Sequence, residues 1–197
     1  MTKGNGSGSL EDLSERAFEI AKRRQSAATG VVEMLEEQYE AAFGSHAGTV
    51  LRAAAWLAGT SLYRSFGFPT DMPPGSPMLS DQANREEAKL LKVFTTLINK
   101  DGVELKLDGL ADEIPAEQKP RKDILQVQEQ FQDEYNQIMK RHGFDYADGA
   151  KSGAVACARL VRLHCLDRKD LEPKVAASVV STGFREGSTT APAPLKK

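Results

Sequence analysis

Arg52, Trp56, Gly59 and Tyr63 fall at i, i+4, i+7 and i+11. On a helix this spacing lines up a cation, an indole, a gap with no side chain and a phenol. Such a stripe can hold a small planar or carboxylate-bearing ligand between its two rings, with Arg52 taking the anion. The competing arrangement lays another helix over Gly59 and pairs Arg52 with a glutamate of the first helix.

Cys157, Leu160, Val161 and His164 share a second helical face, which turns His164 towards the core. A buried imidazole can act as a base or metal ligand, although it more commonly bonds a carbonyl or side chain within the core. Cys157 lies two turns from it, about 10 Å away, too far for direct activation. None of His46, His142 and His164 has a glutamate three residues before it, so the Glu-x-x-His pairs of a four-helix di-iron site are missing. Cys157, His164 and Cys165 also lack zinc-ligand spacing. No metal site is expected, and no cofactor is indicated. The chain contains no G-x-G-x-x-G, no G-x-x-x-x-G-K-[ST] and no G-x-S-x-G, which removes the usual sequence support for nucleotide binding and serine hydrolysis.

Lys151, Arg159, Arg162, Arg168 and Lys169 form the one local basic row. No aromatic side chains interleave it for base stacking, so it reads as a solvated face and no nucleic-acid partner is expected. Net charge agrees, because 28 acidic residues nearly cancel 26 basic ones. Cys157 and Cys165 sit about 12 Å apart along one helix and cannot bridge, which fits free thiols in a reducing compartment. The opening M-T-K-G-N-G-S-G-S lacks the apolar core of a signal peptide, so a cytoplasmic location is expected. The most apolar stretch, 47–63, carries Arg52, which argues against a membrane partner.

The elements that position these residues read as helices. Residues 44–68 are apolar or small on nearly every side, the signature of a helix enclosed by neighbours. Before it, Leu10, Leu13, Ala17, Ile20, Ala28, Val31 and Leu35 follow three- and four-residue spacings from a cap at Ser9, with Arg24 interrupting and Gly30 offering a kink. After it, a loop with four prolines leads to a third helix capped by Ser80 or Asp81, and Val103–Leu107 alternates like a strand. The steps Ile124, Val127, Phe131, Tyr135, Ile138, His142 predict another helix, one more spans about 148–166, and a last one is capped by Asp170 and ended by Gly183 and Gly187. A weak echo, Gly44-x-x-x-Gly48 against Gly149-x-x-x-Gly153, suggests small residues facing each other on two helices.

The expected fold is therefore an all-α, single-domain bundle of five to seven helices with a buried central helix. It should span 9–186, between disordered tails at 1–8 and 187–197. The expected function is a non-enzymatic interaction protein that self-associates, or takes a protein partner, through the first long helix or the 121–142 helix. The alternative is a small-molecule binding protein or enzyme with a ligand pocket lined by Arg52, Trp56, Gly59 and Tyr63.

Overall fold

The structure is a computed structural model and describes residues 10–43, 46–68, 72–103 and 114–195. Within them run six α-helices: α1 (Leu10–Phe43), α2 (Ala47–Ser65), α3 (Asp81–Lys100), α4 (Ile124–Arg141), α5 (Tyr146–Arg162) and α6 (Pro173–Thr189). The chain is an all-α bundle, as its patterning predicts, and the expected strand at 103–107 lies, apart from Val103, outside the described residues.

Every residue of α2 from Ala47 to Tyr63 is buried. A helix of alanines and glycines lets neighbouring backbones approach from all sides, and α2 touches all five other helices, α6 and α5 most extensively. The middle of the α4 stripe goes into this core, where Val127, Phe131 and Tyr135 are fully buried, while Ile124 and His142 at its ends are half-buried. The face of α4 proposed for association is thus occupied within the chain.

Local chemistry sets the helix ends. His46 caps α2, because its Nδ1 accepts from the Thr49 amide at 3.1 Å. That acceptor role puts the ring proton on Nε2, which donates to the Glu117 carbonyl at 2.6 Å. Asp123 and Gln126 make a reciprocal capping box on α4. Asp145 starts α5 by accepting from the Asp148 amide at 2.8 Å. The expected cap of α6, Asp170, is diverted to His164, and α6 starts instead with Pro173 in its first turn behind Glu172.

Two boundaries differ from expectation. α1 runs straight through Gly30 as one helix, since propagation inside a packed helix needs only a small penalty at one glycine. α6 continues past Gly183 and Gly187 to Thr189, and the expected tail from 187 is packed through Ala193, with Pro194 and Leu195 exposed. Its backbone pairs with the proline-rich loop: Gly75 N donates to Ala191 O at 2.8 Å, Ala191 N to Ser76 O at 2.8 Å and Met78 N to Thr189 O at 2.7 Å.

Candidate functional site

The α2 stripe is divided by α6. A Cβ built on Gly59 would lie 2.6 Å from the Phe184 carbonyl oxygen and 2.8 Å from Gly187 Cα, so the gap holds another backbone and not a ligand. Trp56 keeps only 5 % of its surface exposed, and its indole N–H donates to Glu186 Oε2 at 2.7 Å. Arg52 reaches the same oxygen at 3.3 Å while its guanidinium stands 5.8 Å from the indole ring. Burial pushes the Arg52 pKa down, and the Glu186 charge works against that shift. The pocket expected along Arg52, Trp56, Gly59 and Tyr63 is therefore filled at its first three positions, and the glutamate partnering Arg52 comes from α6, not from the first helix.

Tyr63, one turn further, does line a cavity of about 430 Å³. The sequence offers no periodic signal for the rest of this site, because most of its walls come from helix ends and from segments between and after the helices. Arg64 follows Tyr63 on α2, Phe68 and Met72 come later in the chain than α2, Tyr146 opens α5, and Pro194 belongs to the supposed tail. The tail is held there through both backbone polar groups of Ala193. Ala193 N donates to the buried Gln128 side chain at 2.9 Å, and Ala193 O accepts from Arg64 Nη2 at 2.6 Å. Gln128 in turn donates to Thr60 Oγ1 at 2.8 Å, which ties α4, α2 and the C-terminal segment together.

A second unit of surface stands apart from the bundle. The first turns of α1, from Leu10 to about Lys22, are exposed on all sides, with Leu10 87 % and Phe18 68 % accessible and Leu13 and Ile20 also exposed. At 100° per residue, Leu10, Leu13, Ala17 and Ile20 continue the same stripe that Ala28, Val31 and Leu35 bury further along. Where this overhang meets the bundle, Ala21, Val93, Leu97 and Val155 floor a groove of about 510 Å³ rimmed by Arg24, Lys89 and Lys92.

His164 is fully buried, as its helical face predicts, and sits between two carboxylates. Its Nδ1 lies 3.0 Å from Asp170 Oδ1 and its Nε2 3.4 Å from Glu36 Oε1. Arg168 completes the cluster at 2.6 Å from Glu36 Oε2. The hydrogen bond from His164, followed by the Arg168 charge, holds the Glu36 carboxyl below its ordinary range despite the opposing effect of burial. The end of α5 widens into a π turn at Leu163–Asp167, and Lys169 adopts φ of 58° to close it. Asp170 N can then donate back to His164 O at 3.0 Å. Cys157 and Cys165 are both buried, and burial pushes their thiols up, Cys165 to about 12, which removes them as nucleophiles near neutral pH.

The basic row is broken up by α1. Arg159 donates to Thr29 Oγ1 and to Gln25 Oε1, the latter at 2.8 Å, and Arg168 is committed to Glu36. Of the repeated glycines, Gly153 meets Ala58 of α2, whereas Gly48 faces the Gln118 backbone, so the two copies do not play equivalent parts. No group of His, Cys, Asp and Glu among the described residues is arranged to hold a metal ion, and no helix among them is long and apolar enough to cross a membrane. Comparison of the chain with protein-family models, with curated proteins and with solved structures found no match.

Proposed function

We propose that this protein is a non-enzymatic helical interaction module that self-associates through the projecting start of α1. The observation that carries this reading is the apolar stripe of α1, half buried in its own bundle and half left in water at Leu10, Leu13 and Ile20. Burying one such side chain is worth about 1.5–3 kcal/mol, so an uncovered row of them favours a partner.

Charge favours a second copy as that partner. The tip of α1 is acidic at Glu11, Asp12 and Glu15, whereas the groove at its base is rimmed by Arg24, Lys89 and Lys92 around an apolar floor. An antiparallel pair about a two-fold near Ala17 and Phe18 brings residues 10–14 of each helix level with 21–25 of the other. Leu10 and Leu13 would then enter the partner's groove, with their flanking carboxylates on its basic rim. Such an isologous contact closes on itself and stops at a dimer.

Light scattering on the full chain at micromolar concentration tests the proposal. A dimer is expected, reverting to monomer in the Leu10→Glu/Leu13→Glu variant, whose substitutions lie on exposed positions and leave the bundle intact. A wild-type monomer at 100-fold higher concentration, or a dimer indifferent to the double substitution, would sink it.

A further inference from the structure

We propose that the cavity between the end of α2 and the C-terminal segment is a binding site for a small aromatic carboxylate. At about 430 Å³ it falls within the usual range of small-molecule sites, roughly 300–1,000 Å³. Phe68, Tyr146, Met72 and Pro194 supply flat and apolar walls suited to a ring.

The polar groups at this wall are donors. Tyr63 is only 4 % exposed, and its hydroxyl is buried without a hydrogen-bond partner. An orphaned buried hydroxyl is costly, and a ligand acceptor would relieve that cost. The neighbouring Arg64 is fixed in place through Nη2 by the Ala193 carbonyl, while its Nε is likewise buried and without a partner. No aspartate or glutamate is among the described residues lining the cavity. One preset cation and one idle phenol beside aromatic walls select a ring bearing an anionic acceptor over a neutral or cationic one.

The field of the site agrees with this geometry. Burial pushes the Tyr63 phenol up, so it stays a protonated donor at neutral pH, and the Arg64 charge acts on it from close by. Burial lowers the Arg64 pKa, and the Asp133 carboxylate of α4 works against that shift. A bound carboxylate would act in the same direction as Asp133.

Calorimetric titration of the full chain with 2-naphthoate, and with 2-naphthamide as the neutral isostere, tests the assignment. The carboxylate is expected to bind at least about ten-fold more tightly than the amide, and Tyr63→Phe and Arg64→Gln should each weaken it by about ten-fold. Tyr63→Phe removes only an unpartnered buried hydroxyl, so its melting temperature should equal or exceed that of the wild type, which keeps the comparison valid. Equal affinity for acid and amide, unchanged binding in Tyr63→Phe, or no binding of 2-naphthoate at millimolar concentration would each overturn the proposal. These outcomes are independent of whether the protein dimerises.

Discussion

Gly59 and Gly187 meet backbone to backbone, so that a Cβ on Gly59 would stand 2.8 Å from the Cα of Gly187. Reciprocally, a Cβ on Gly187 would stand 2.6 Å from the Trp56 carbonyl oxygen. Side chains can swing aside, but these neighbours are main chain, and α6 would have to lift from α2 to admit a methyl group. Gly187→Ala should therefore destabilise the bundle by about 1–3 kcal/mol, the usual range for overpacking. Gly30→Ala supplies the opposite sign, since its Cβ would meet only the Ile138 side chain at 3.4 Å. Replacing that helix-interior glycine should stabilise by about 0.5–1 kcal/mol. Urea unfolding of both variants against wild type measures the two differences, and similar losses at both sites would refute the close-contact account.

The same seam explains which parts of the molecule the sequence disclosed. The enclosure of α2 was legible because an all-apolar helix has few other places to be, and the α4 stripe because its period is regular. Glu186 was not legible as the partner of Arg52 and Trp56, since only the crossing of α6 over Gly59 brings it there. Residues 190–195 read as a tail for a related reason. Alanine and proline carry no periodic signal, and the segment is held by its backbone to Gln128, Arg64 and the proline-rich loop, which no pattern of side chains announces.

Ending the chain at Thr190 should consequently cost stability, where loss of a true tail would cost none. The cut removes the Ala193 bonds to Gln128 and Arg64 and both Ala191 bonds to the loop at Gly75 and Ser76. At about 1 kcal/mol net per hydrogen bond, the melting temperature should fall by roughly 5–15 °C. Differential scanning calorimetry reads this directly. An unchanged transition would mean that the segment contributes nothing to the fold.

Glu186 offers a local test of the α2–α6 contact. Its carboxylate accepts from the Trp56 indole and from Arg52, which is itself buried on α2. Glu186→Ala leaves that guanidinium with less compensation and the indole N–H without its acceptor. Because the Glu186 side chain is 45 % exposed, water offsets part of the loss, and a destabilisation of about 1–2 kcal/mol is expected. Trp56 emission should change together with stability. A Glu186→Gln variant that behaves like wild type would show that the hydrogen bonds, and not the charge, dominate.

The cluster of Glu36, His164, Arg168 and Asp170 predicts how stability responds to acid. Glu36 is held below its ordinary 4.5 in the folded chain, chiefly by the His164 hydrogen bond and then by the Arg168 charge. A carboxyl lowered by folding stabilises at pH values above 4.5, and that contribution disappears as pH falls below 4.5 and through the folded-state pKa. Glu36→Gln cannot ionise, so its deficit relative to wild type should shrink as pH falls below 4.5. Melting temperatures of the two proteins between pH 7 and 3.5 provide the measurement. Curves that stay parallel to the acid end would mean that Glu36 is not the group through which this cluster titrates.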